Sequence, residues 1–166
     1  MTRPKRIEPG PGQESVWDYP RPPRLEDVSK RLQVIFNGVV IANTVNGKRV
    51  VETAGAPVYY FPPEDVKMDY LIPVPRYQTL CEWKGSASYY SVEVGEKRAE
   101  RAAWYYPKPT TRFASLKDYI AFYPQVMDAC LVAGEKARPQ PGGFYGGWIT
   151  ADIVGPFKGE PGTEYW

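Results

Sequence analysis

Cys81, one of two cysteines in the chain, is followed three residues later by Lys84 in the stretch CEWKG. A cation held near a thiol favours the thiolate, the form that attacks electrophiles and binds soft partners. A turn through Glu82 and Trp83 would bring the ammonium close, and Glu82 would oppose its effect if it faced the same way. Three roles are open to Cys81: a buried filler at the start of a strand, a thiol touching a ligand, or a covalent nucleophile assisted by Lys84. Lys84 itself could be no more than a solvated turn residue.

The 166-residue chain contains no histidine. His-dependent general bases, Ser-His-Asp and Cys-His pairings and His-containing zinc sites are therefore excluded. Two cysteines cannot form a four-thiolate zinc site, and no dense Asp/Asn/Glu run resembles a calcium loop. We expect no metal and no cofactor. A nucleophilic Cys81 would have to use a lysine, a carboxylate or water as its base.

Aromatic residues are the second source of chemistry, with 13 tyrosines and 5 tryptophans. Tyr59-Tyr60, Tyr89-Tyr90 and Trp104-Tyr105-Tyr106 lie in stretches that read as strands. Side chains alternate across a strand, so one member of each pair faces each way. Members sharing a face could form a stacking wall for a planar or cationic small molecule. They could equally be core and surface tyrosines, or stack on single-stranded nucleic acid. A net charge of only +2 argues against nucleic acid. Glu52 closes one strand and is a candidate polar anchor. Asp65 opens a helical turn and suits a capping or salt-bridge role.

The elements that must position these groups are mainly β. Asn37-Gly38 between RLQVIF and VVIAN is a hairpin signal, because both central positions of a type I′ turn need positive φ. Asn46-Gly47 repeats the device, which predicts a three-strand meander over 31–36, 39–45 and 48–53. A short strand at 58–61, a helical turn from Pro62, and strands at 87–94 and 98–106 follow. PVPRYQTLCEWKG reads as an irregular crossing with a short strand near residue 79. QVMDACLVAGEKA reads as a terminal helix that buries Cys130 on its apolar side.

Three regions are expected. Residues 1–28 form an extended arm with a basic, solvated start, anchored by Trp17 and Tyr19. Residues 29–137 form the β domain, and residues 138–166 an extension rich in Gly, Pro and aromatics that packs on it. That extension could instead contact a protein partner or a second copy of the chain. GGFYGG lacks the spacing and the strand-to-helix setting of a nucleotide loop. The chain lacks a long apolar run or a signal-peptide core, and its distant cysteines suit free thiols, so a cytoplasmic protein without membrane contact is expected.

The blocks VVIANTVNGKRVVETAGAPVYYFPPEDVKMDYL, TLCEWKGSASYYSV, AAWYYPKP and IAFYP run in order from about residue 30 to 130. Together they closely resemble the conserved blocks of the family called DUF427. GGWITADIVGPFKG is similar to the extension of members from photosynthetic organisms. Glu82-Trp83 departs from the Pro-Tyr-like pair the family often has. The resemblance implies a mainly β fold of Mss4-like, or β-tent, type, in which two small antiparallel sheets lean together. Relatives in that fold class include zinc-bearing methionine sulfoxide reductases and the drug-binding domain of cereblon. They hold zinc with cysteine pairs that this chain does not have. A nucleotidyltransferase label goes with the family, but no Gly-Ser with paired aspartates that would carry metal-dependent nucleotidyl transfer is present here. From residues and resemblance together, the leading expectation is a metal-free domain that binds a small molecule or a modified residue. Its cleft would be formed by Cys81, Lys84, Glu52, Tyr59, Tyr60, Tyr89, Tyr90, Trp104 and Tyr106. The alternatives are a thiol-dependent enzyme acting on a small electrophilic or nucleotide-like substrate through Cys81 and Lys84, and an interaction module that uses the extension.

Overall fold

The computed structural model describes residues 4–166. The first part of the basic start, residues 1–3, lies outside the described residues. Strand β1 (Glu14–Ser15), a 3-10 turn at Val16–Asp18 and β2 (Arg24–Val28) come first. The hairpin β3 (Leu32–Phe36) and β4 (Val39–Thr44) follows, then β5 (Gly47–Val51) and β6 (Val58–Tyr60). Two 3-10 turns, Pro63–Asp65 and Met68–Tyr70, lead to three long strands: β7 (Leu71–Cys81), β8 (Gly85–Val94) and β9 (Lys97–Tyr105). A 3-10 segment at Thr111–Leu116 precedes β10 (Ile120–Phe122), and another at Pro124–Val126 precedes β11 (Ala129–Val132) and β12 (Glu135–Lys136). The short strands β13 (Arg138–Pro139), β14 (Trp148–Ile149) and β15 (Ile153–Val154) complete the chain. The protein is thus mainly β, built of several small antiparallel sheets with short helical turns.

The first Asn-Gly turn forms as expected, with φ of 47° at Asn37 and 75° at Gly38. The second does not extend the hairpin into a meander. β4 pairs with β3, whereas β5 pairs with β2 and β6 in a separate sheet. At the departure point the Thr44 hydroxyl accepts the Asn46 amide at 2.9 Å. Gly47 is needed there for space: a Cβ would lie 2.5 Å from Leu32 Cδ1.

The stretch expected to be irregular is β7, an edge strand of the sheet ordered β10-β9-β8-β7. Pro73 and Pro75 are tolerated because an edge strand leaves one row of amides unpaired. Their register break lies between Pro73 and Gln78, around Arg76 at φ 58°. The expected terminal helix is also overturned. Residues 129–136 form the β11–β12 hairpin around Ala133 (φ 49°) and Gly134 (φ 83°), and β11 pairs with the free edge of β3. Cys130 is buried in the core, at 1% exposure, opposite Val34.

The main core gathers Leu32, Val34, Phe36, Phe61, Phe122 and Trp148 from several sheets. Trp148 comes from the far end of the chain, and its indole N–H donates to the Phe122 carbonyl at 3.2 Å. In the N-terminal arm, Tyr19 is buried and the Trp17 indole donates to the Pro156 carbonyl at 3.0 Å. Arg6, expected in the solvated start, instead makes a bidentate pair with Asp18 at 2.9 Å. Among the described residues no helix is long and apolar enough to cross a membrane.

Candidate ligand-binding site

Strands β8, β9 and β10 separate two apolar layers. Ala103, Ile120 and Phe122 face the main core, while Trp104 and Ala121, on the opposite side, join a second cluster with Tyr60, Tyr89 and Tyr106. Strand alternation thus divides the paired aromatics. Tyr60, Tyr89 and Trp104 go to the second cluster, and Tyr59 goes to the main core. Tyr90 lies against the main core and stacks on Tyr105, with ring centroids 4.7 Å apart.

The second cluster lines a half-open cavity of about 230 Å³. Its inner walls are Tyr60, Tyr89, Trp104, Tyr106 and Tyr123. Tyr60 meets Trp104 edge to face, with centroids 6.4 Å apart, and Tyr123 tilts onto Trp104 at 4.5 Å. The Tyr89 hydroxyl shares a 2.8 Å hydrogen bond with Thr79 Oγ1. Burial raises the phenols of Tyr60, Tyr106 and Tyr123 above the ordinary tyrosine range. At neutral pH they are uncharged groups that can donate or accept a hydrogen bond, not general bases.

Cys81 ends β7 at the cavity wall and is partly exposed. Lys84 follows in the β7–β8 turn, with Nζ 5.8 Å from the Tyr106 ring centroid, within cation–π range. The turn is pinned by Thr110, whose amide donates to the Lys84 carbonyl at 3.0 Å and whose hydroxyl donates to the Trp83 carbonyl at 2.6 Å. Gly85 is required there: its φ is +110°, and a Cβ would stand 3.1 Å from the Lys108 carbonyl oxygen.

The remaining wall comes from Phe144, Tyr145 and Gly146. Gly146 lies flat on the Trp104 indole, where a Cβ would be 2.1 Å from Cη2. At Gly147 a Cβ would be 2.8 Å from the Ala56 carbonyl oxygen. Buried Gln140 ties this segment down: it accepts the Ala56 amide at 3.0 Å and donates to the Lys158 carbonyl at 2.9 Å. Leu80 and Phe144, 80% and 71% exposed, leave apolar surface at the cavity's edge.

Glu52 lies outside this cavity. It lines a neighbouring one of about 160 Å³ and pairs with Arg21 at 3.3 Å. The two cavities share Val58, Lys84, Tyr145 and Gly146. Asp65 accepts the Thr44 hydroxyl at 2.7 Å, a local structural contact. Tyr123, Tyr145 and Gly146 are among the lining residues that sequence reasoning passed over. The FYGG run signalled order in the extension without saying which residue it would meet.

A larger cavity of about 430 Å³ lies elsewhere, lined by Glu14, Glu26, Arg49, Lys30, Tyr59 and Asp152. Its carboxylates are paired, with Asp27, which also lines it, held by Lys48 at 2.6 Å. Arg49 holds Glu14 at 3.0 Å and Glu26 at 2.7 Å, and Lys30 holds Asp152 at 3.5 Å. This arrangement clasps β1 to the β2–β5 pair and leaves little unpaired charge for a ligand. The aromatic cavity, with apolar walls and few polar groups, has the composition of a small-molecule site. Among the described residues no group of three or more Cys, Asp or Glu is placed to hold a metal ion.

Residues 24–133 match the family described as a domain of unknown function, DUF427, and the chain belongs to that family. The match spans β2 to the β11–β12 turn and includes Cys81, Lys84 and the cavity's strand aromatics; the segment carrying Tyr145 and Gly146 lies beyond it. No curated protein matches the chain.

Proposed function

We propose that the protein binds a small molecule, or a modified residue presented by a larger partner, in the aromatic cavity between β6, β8, β9 and the C-terminal segment. The observation that supports this reading is the convergence of Tyr60, Tyr89, Trp104 and Tyr106 on one cavity with Cys81 and Lys84 at its wall. A cavity of about 150 Å³ is enough for a benzene-sized guest, so about 230 Å³ suits a single planar ring. Binding needs neither metal nor cofactor: stacking and apolar burial hold the ring, and the neutral phenols orient it. The β-tent relationship expected from the family fits this reading, as does a cytoplasmic setting with free thiols.

A thiol-dependent reaction is the second reading, favoured by the placement of Cys81 on the wall of the same cavity as Lys84. Cys81 would attack an electrophile seated against the aromatics, its thiol proton passing to water. A fragment screen by thermal shift, followed by calorimetry on wild type, Trp104→Ala and Cys81→Ser, tests both. Binding that survives Cys81→Ser and is lost in Trp104→Ala supports the first reading. A covalent mass adduct that vanishes in Cys81→Ser supports the second. Unchanged affinity in a folded Trp104→Ala protein contradicts the first.

A further inference from the structure

We infer that the cavity's ligand is an aromatic ring bearing an anionic group, with the ring among Tyr60, Trp104 and Tyr106 and the anion in the adjoining cavity at Lys84 and Lys158. This rests on the proposed binding function and names its ligand class.

The two cavities differ in chemistry and meet along a shared border. The first has aromatic walls, and no carboxylate lines it. Its one full charge is positive, at Lys84, which disfavours the cationic guest that an aromatic wall alone would also suit. The second is lined by three cations, Arg21, Lys84 and Lys158, and one carboxylate, Glu52. Glu52 is engaged by Arg21 at 3.3 Å. Among the described residues neither Lys84 nor Lys158 has a carboxylate within ion-pair distance. Each instead rests near a tyrosine ring of the aromatic cavity, Lys84 at 5.8 Å from Tyr106 and Lys158 at 5.7 Å from Tyr145. Two lysines without a carboxylate partner thus line the second cavity, and Lys84 is shared with the ring cavity. Tyr145 and Gly146 border both cavities, so a ring and its substituent could occupy both at once. A carboxylate or a phosphate would satisfy the two lysines by charge-assisted hydrogen bonds, which are stronger than those of a neutral amide.

Calorimetry with matched probes tests this on the full chain: indole-3-acetate against indole-3-acetamide, and phenyl phosphate against phenol. The expected result is that at least one anion binds about tenfold more tightly than its neutral partner, the size a single charge-assisted contact gives. The advantage should shrink as salt rises. It should shrink in Lys158→Gln, a residue that lines only the second cavity, while the neutral probe keeps its affinity there and so reports an intact ring cavity, and it should disappear in Lys84→Gln/Lys158→Gln. Comparing the two pairs tells which anion the site prefers. Equal affinity of anion and neutral partner in wild type, with binding still dependent on Trp104, would overturn this inference and leave the ring site standing. Failure of all four probes to bind would overturn both. An anion advantage that persists in the double lysine variant would place the anion elsewhere and overturn the inference as well.

Discussion

Replacing Gly146 by alanine tests whether the C-terminal segment forms a wall of the cavity. The backbone at Gly146 is not in the left-handed region, so alanine has no conformational penalty there. In open space such a change stabilises by about 0.4–1 kcal/mol, through the unfolded chain. Here the new methyl would overlap Trp104 Cη2 at 2.1 Å and sit tight against the rest of that ring, at 3.0 and 3.1 Å from Cζ3 and Cζ2. The indole is 7% exposed and has Tyr60 and Tyr123 against it, so it has little room to withdraw. Overpacking of this kind costs about 1–3 kcal/mol. For a chain of this size that lowers Tm by roughly 2–4 °C per kcal/mol, or about 4–8 °C for a ~2 kcal/mol effect. Differential scanning calorimetry reads the shift directly. The cost should fall sharply in a Trp104→Phe background, because the shorter ring does not reach the methyl, and the double-mutant cycle would show that coupling. An unchanged or raised Tm for Gly146→Ala in the wild-type background would refute the contact, and with it the wall.

Three further outcomes follow from the same geometry. Gln140→Ala removes the partners of the buried Ala56 amide and of the Lys158 carbonyl, and should cost about 1–3 kcal/mol per group left unsatisfied, read from denaturant midpoints. Alkylation of the native protein should label Cys81 and spare Cys130, whose burial raises its thiol well above the usual range; Cys130 should react only on unfolding, as peptide mass mapping would show. Burial pushes the Tyr59 phenol up to about 12, against about 10 in an unfolded chain. The folded state therefore keeps a proton that the unfolded state loses. That contribution is intact below about pH 10 and is lost as pH rises from about 10 to about 12, at up to ~1.4 kcal/mol per pH unit. Denaturation of Tyr59→Phe should show a shallower alkaline decline than wild type, and identical slopes would contradict this.

Local signals in the sequence located much of the fold. Asn37-Gly38 marked a true hairpin because both residues must have positive φ, which little else tolerates. Strands β8 and β9 were legible from their aromatic and β-branched content. Failures came where distant parts of the chain decided the outcome. Gly47 looked like another hairpin glycine, yet the Leu32 side chain fixes it by crowding, and β5 leaves for another sheet. β7 carries prolines that are acceptable only because no further strand pairs along its outer edge. The 125–137 stretch has apolar spacing that suits a helix, but the open edge of β3 draws it into a strand.

The site was legible in the same uneven way. Alternation predicted that each tyrosine pair would divide between two faces, and Tyr60 and Tyr89 do join Trp104 and Tyr106 beside Cys81 and Lys84. Which member faces the cavity depends on sheet register, which the local sequence does not fix, and register turns Tyr59 and Tyr90 to the main core instead. Tyr145 and Gly146 reach the cavity only by the return of the chain's end, and no local pattern announces that contact.

The most direct measurement is chemical-shift mapping of the full chain titrated with indole-3-acetate and phenyl phosphate. Binding in the aromatic cavity predicts saturable shifts at the Trp104 indole, Tyr60, Tyr106, Cys81 and Gly146, with Glu14 and Arg49 in the larger cavity unmoved. Saturable shifts confined to the Glu14–Arg49 cavity, or none anywhere with either probe, would contradict it.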